Sequence, residues 1–85
     1  MIPPHRWWAS YKAARRTREE RMIGTALWHA PELTVASLME ETGLGAGAIY
    51  PALRRMERAG RVTPRWDDSR PRRRLYRLAD QQPPD

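Results

Sequence analysis

The side chains in this sequence that could do chemistry are guanidinium groups at helical spacing. Tyr50, Arg54, Arg55 and Arg58 recur at intervals of four, one and three, and Arg70, Arg72, Arg73 and Arg74 stand nearly consecutively some fifteen positions later. Guanidinium forks make two-point contacts with phosphate oxygens and guanine edges that an ammonium cannot make. The second cluster is offset locally only by Asp67 and Asp68, and self-repulsion of that kind signals a missing anion. Two bland readings stand beside this one. The helix could be an ordinary solvated amphipathic face, and Arg73 could pair across a strand with Asp67 or Asp68 to keep a hairpin soluble.

The whole composition leans the same way. Sixteen basic against ten acidic residues leave a net charge of +6, and Lys12 is the only lysine. A coding bias could favour arginine over lysine, but it would not create the excess over acids, so a nucleic-acid partner is expected.

Other chemistries find no support. There is no cysteine, which removes disulfides, thiolate zinc sites and thiol nucleophiles. His5 and His29 are the only histidines, and neither has a carboxylate pair or glycine-rich loop at usable spacing. Glu40 and Glu41 are adjacent, so on a helix they point apart, which argues against a metal site. No enzyme, metal or cofactor is expected. No apolar run is long enough for a signal peptide or membrane span, since Lys12, Arg15 and Arg16 interrupt the first candidate; a cytoplasmic protein of a bacterium or phage is the default expectation.

Elements that could position the arginines can be read from periodicity. Trp7, Trp8, Tyr11 and Ala14 would make an aromatic stripe on an N-terminal helix over 1–16 that starts after Pro3 and Pro4. Thr17-Arg18-Glu19-Glu20 reads as a capping box, so a helix should start or restart near Thr17, bury Met22, Ile23, Ala26 and Leu27, and stop at Pro31. Thr34 can cap a second helix that buries Val35, Leu38 and Met39 and ends at Gly43. Gly43-Leu44-Gly45 is then a tight turn with one buried apolar residue, and a third helix starting near Ala46 or Gly47 carries Ile49, Leu53 and Met56 inward until Gly60. At about 100° per residue, Gly47, Pro51, Arg54 and Arg58 lie opposite that stripe, with Tyr50 and Arg55 flanking it. Small residues come first on this outer face, so its opening turn (Ala46, Gly47, Ala48) could approach bases closely while Tyr50, Arg54 and Arg55 reach phosphates or a guanine edge.

Beyond Gly60 the period becomes alternating. Val62, Pro64 and Trp66 share one face of an edge-like strand, Asp67-Asp68-Ser69-Arg70-Pro71 is turn chemistry, and a second strand over 72–78 turns Tyr76 and Leu78 inward. The expected fold is mainly α with a small β-hairpin: a winged helix-turn-helix over 17–80, preceded by an extra N-terminal helix and followed by a disordered tail over 81–85.

The stretch from Gly47 to Val62 closely resembles the recognition helix and first wing strand of the PadR family of winged-helix transcription regulators, and Arg72 to Asp80 resembles that family's second wing strand. Tyr50-Pro51-Ala52-Leu53-Arg54-Arg55 is the most specific element. The resemblance implies that Tyr50 and Arg54 contact backbone phosphates, that Ala46 to Ala48 face bases, and that the arginine-rich wing contacts the flanking groove. Two departures accompany it. Leu33-Thr34-Val35 stands where the family has a Gly-Tyr pair, and Gly45-Ala46-Gly47 where it opens the third helix on a hydroxyl residue. Family members dimerise, and often sense ligands, through a C-terminal helical region; a short form without that region is the expectation here, and no small-molecule effector is inferred.

The expected function is sequence-specific binding of double-stranded DNA, most simply by a repressor. Alternatives are a phage-type architectural or excision factor that bends DNA, and a winged helix used for protein or RNA contact. Trp7, Trp8 and Tyr11 offer a homodimer interface in place of the C-terminal region, or they fold back on their own domain.

Overall fold

The computed structural model describes residues 4–69 and 71–79, with side chains described from Trp8 onward. Expectations for Arg70, for the Trp7 side chain and for the tail over 81–85 lie outside the described residues.

The N-terminal element is one uninterrupted helix, α1 (Pro4–His29), about 39 Å long at 1.5 Å per residue. The restart expected at Thr17 does not occur. The Thr17 hydroxyl instead donates back to the Ala13 carbonyl at 3.0 Å, the ordinary way for a mid-helix threonine to satisfy its oxygen. Glu20, which a capping box would turn toward the Thr17 amide, carries its carboxylate to Arg55 and Arg61. Two guanidiniums are a stronger attraction than one amide, and the good helix formers at 13–16 supply nothing to break the helix.

The strand β1 (Leu33–Thr34) follows and leads directly into α2 (Val35–Thr42). Thr34 caps α2, its hydroxyl oxygen accepting the Ser37 amide at 3.1 Å, and Gly43 ends it at φ +74°. The Thr42 hydroxyl donates to the Leu38 carbonyl at 2.6 Å and accepts the Leu44 amide at 3.2 Å, so the last turn of α2 and the turn into the next helix share one pivot. Leu44 packs on the core, as expected.

α3 (Ala46–Arg58) opens on Gly45, whose carbonyl accepts the amides of Ala48 at 3.1 Å and Ile49 at 2.9 Å. It closes in a Schellman motif: the Arg61 amide reaches the Met56 carbonyl, the Gly60 amide reaches the Glu57 carbonyl, and Gly60 takes φ +71°.

β2 (Val62–Asp67) and β3 (Arg73–Leu78) form the hairpin, antiparallel and in register with Val62 opposite Leu78 and Pro64 opposite Tyr76. The sheet has three strands rather than two, in the order β1-β3-β2. Leu33 pairs with Tyr76, and Thr34 with Leu75. β2 is therefore an edge, where Pro64 costs no ladder bond.

All five larger elements contribute to one core: Ile23 and Leu27 from α1, Leu38 from α2, Ile49, Ala52, Leu53 and Met56 from α3, then Val62 and Tyr76 from the hairpin. Ala52 is the one member that periodicity did not mark. Among the described residues no charged or polar side chain is buried. Met22 is only half-buried and lines a cavity of about 500 Å³ between α1 and the end of α2. No described helix is long and apolar enough to cross a membrane. Three helices with the hairpin against the last of them make a winged helix.

Candidate nucleic-acid interface

The turn between α2 and α3 fixes what α3 shows to solvent. With Ile49, Ala52, Leu53 and Met56 in the core, Ala46, Gly47, Tyr50, Pro51, Arg54 and Arg58 are exposed and Ala48 is half-buried. Pro51 lacks an amide hydrogen, so the Gly47 carbonyl receives no helical donor from it. A Cβ added at Gly47 would meet nothing within 4 Å; the first turn of α3 is open to close approach.

Arg55 behaves differently from its neighbours. Its Nε donates to Glu20 at 3.0 Å, and its Nη2, which is buried and makes no hydrogen bond, lies 3.7 Å from Glu19. Glu20 also accepts from Arg61 at 2.7 Å. The structure therefore directs Arg55 sideways onto α1, away from the face that carries Arg54 and Arg58. Those two make no ion pair among the described residues.

On the other flank, α3, the start of α2 and the hairpin enclose a groove of about 640 Å³, whose lining includes Ser37, Tyr50, Arg54, Trp66, Arg74 and Tyr76. Trp66 stands opposite Arg74 in the ladder and is half exposed. It continues the Val62–Pro64 face past the end of the core, and the guanidinium carbon of Arg72 lies 4.5 Å from its ring centroid, that of Arg74 5.9 Å. Arg74 also lies 5.5 Å from the Tyr76 ring and donates to Glu57 at 3.2 Å. Planar cations stacked on indole are held in fixed orientation. The role of Trp66 as a platform was not drawn from the sequence, although its alternation with Arg72 and Arg74 across the turn was the available signal.

Arg73 takes the cross-strand option. It donates to Asp67 at 3.0 Å, while the Ser69 hydroxyl and amide donate to the same carboxylate at 2.7 and 3.1 Å. The Ser69 hydrogen bonds, with Arg73 adding to them, lower the Asp67 pKa from 3.8 to about 2. Arg65 donates through both Nε and Nη2 to Glu32, and that hydrogen bond raises its pKa. The pair links β2 to the segment before β1 across the middle strand.

Trp8 and Tyr11 are both about half exposed and stacked on each other, with centroids 6.0 Å apart and ring planes at 24°. The Lys12 ammonium lies 5.6 Å from the Trp8 ring centroid. Residues 8–18 are exposed throughout, so this half of α1 projects from the domain.

Among the described residues, no group of His, Asp or Glu side chains could hold a metal ion. No curated protein matches the chain. The model of the PadR-like transcriptional regulator family matches residues 18–81, which takes in the last twelve residues of α1, both helix-turn-helix helices and the whole hairpin. The chain therefore belongs to the PadR-like family and is a DNA-binding transcription regulator.

Proposed function

We propose that the protein is a repressor that occupies its operator as a homodimer, with α3 in the major groove and the β2–β3 hairpin as a wing on the adjoining backbone. The observation that carries this reading is that α3 presents two arginines, Arg54 and Arg58, with no carboxylate partner among the described residues, where five other arginines have one. In the proposed complex Ala46, Gly47 and Ala48 approach base edges, and Pro51 keeps the same face narrow. Tyr50 and Arg54 reach phosphates or a guanine edge, and Arg58 follows the backbone. Arg70, Arg72, Arg73 and Arg74 form the wing contact, with Arg72 and Arg74 pre-oriented by Trp66. Arg55 is assigned to the α1–α3 junction instead.

The homodimer reading rests on Trp8 and Tyr11, large rings about half exposed on a projecting helix. Burying such rings against a second copy recovers apolar area that the small core cannot cover. A two-fold pair would set the two α3 helices about 34 Å apart on one face of the duplex. Repression requires no surface beyond this one, because occupancy of a promoter excludes polymerase, and the working compartment is the bacterial cytoplasm, where the DNA is. Light scattering on the free protein and on its complex with duplex tests the assembly: two chains per duplex are expected, and a strict monomer that binds singly at micromolar concentration would contradict it.

A further inference from the structure

A helix in the major groove has a sugar-phosphate ridge on each side. On α3, Tyr50, Arg54 and the wing lie along one flank. The other flank borders a cleft of about 360 Å³ between α3 and the projecting half of α1, lined by Arg15, Arg16 and Glu19 from α1 and by Gly47, Pro51 and Arg55 from α3. Helical geometry agrees: at 100° per residue Tyr50, Arg54 and Glu57 fall on one side of the outward face, and Ala48, Pro51 and Arg55 on the other.

The charge in this cleft is unbalanced. Three guanidiniums meet one lining carboxylate, Glu19, whose side chain is only 12% exposed. Glu20 is shared between Arg55 and Arg61 and leaves nothing over. Arg15 and Arg16 are exposed and make no ion pair among the described residues. Gly45, which opens α3, supplies no side-chain cap to the amides of the first turn, and Gly47 beside it offers no Cβ.

We propose that this cleft binds a backbone phosphate of the DNA ridge opposite the wing, with Arg16 and Arg15 as its ligands. It rests on α3 lying in the major groove. The first half of α1 is then part of the DNA interface. Arg16 lies roughly 100° around α1 from the midpoint of Trp8 and Tyr11, clear of the aromatic stripe, whereas Arg15 lies along that stripe and would be shared with a second subunit. The protein so grips both ridges that border its groove, and the α1–α3 ion pairs of Arg55 set the spacing between the two grips.

The test is a fluorescence-anisotropy titration of the full chain against mixed-sequence duplexes of about 30 base pairs over a potassium chloride series. Arg16→Gln should lower affinity several-fold on every duplex alike and make the log–log salt slope shallower by about 0.9, with Arg15→Gln/Arg16→Gln losing about twice that. Arg18→Gln removes the same charge from an exposed position of α1 outside the cleft and should leave the slope unchanged. Arg16→Lys should restore most of it, because a phosphate accepts an ammonium as a point charge. An unchanged slope in the double variant overturns the proposal. So does an equal loss in Arg18→Gln, which would mean general attraction, or failure of Arg16→Lys to rescue, which would mean a structural defect. Duplex binding that depends on Arg54 and ignores Arg16 refutes the cleft alone, whereas a wild-type chain that binds no duplex refutes the reading on which it rests.

Discussion

The Arg55 Nε donates to Glu20 across the α1–α3 junction at 3.0 Å, joining the long helix to the helix that faces DNA. Glu20 is 17% exposed and holds Arg61 as well, so its removal breaks two ion pairs at once and leaves Arg55 only the longer contact with Glu19 at 3.7 Å. Glu20→Ala should destabilise the domain by about 1–3 kcal/mol, read as a lower urea midpoint at unchanged slope. An unchanged midpoint would show that the pairs are no more than surface decoration.

Adjacent arginines should separate by function. Arg54→Ala should weaken duplex binding by about 1–3 kcal/mol with little change in stability, since Arg54 is exposed and makes no ion pair among the described residues. Arg55→Ala should lower the unfolding midpoint, with a smaller effect on the affinity of the folded protein. Equal binding losses would place both side chains at the DNA and contradict the division of faces.

Gly60 tests the junction between α3 and the wing. Its φ of +71° lies where a side chain is strained, while a Cβ there would meet nothing within 4 Å. Gly60→Ala should therefore cost about 1–2 kcal/mol through the backbone alone. Thermal unfolding measures it, and a neutral or stabilising result would mean that the Schellman turn is not maintained in solution.

The hairpin tip carries its own pH signature. Asp67 is held at a pKa of about 2, below its ordinary 3.8, first by Ser69 and then by Arg73. A depressed carboxylate contributes stability that is fully present above the ordinary value and is lost as pH falls from there through about 2. Following the Asp67 carboxyl carbon by NMR should give a midpoint near 2, and a midpoint near 4 would mean that the Ser69 and Arg73 contacts are not formed.

Much of this fold is legible in the sequence because local chemistry and tertiary packing agree. Thr34 and Gly43 bound α2 as their side-chain chemistry requires, and the spacing of Ile49, Leu53 and Met56 picks out the buried face of α3. Thr17 misleads because a capping threonine and a mid-helix threonine differ only in which backbone group the hydroxyl meets, and that depends on Glu20 finding Arg55 thirty-five residues away. β1 is two residues long and exists only because Tyr76 and Leu75 are already in place, so no local pattern announces it. The same logic divides the arginines: residue type marks Arg54, Arg55 and Arg73 alike, but carboxylates distant in sequence or across the turn decide which of them stay unpaired.

The most direct measurement is selection of bound duplexes from a random-sequence pool by the full chain, with Arg54→Ala in parallel. An inverted repeat with half-site centres about one helical turn, 10 to 10.5 base pairs, apart is expected, enriched by the wild type and markedly less by the variant. Enrichment of no duplex, or of a site on which Arg54→Ala selects as well as the wild type, would contradict the placement of α3 in the major groove.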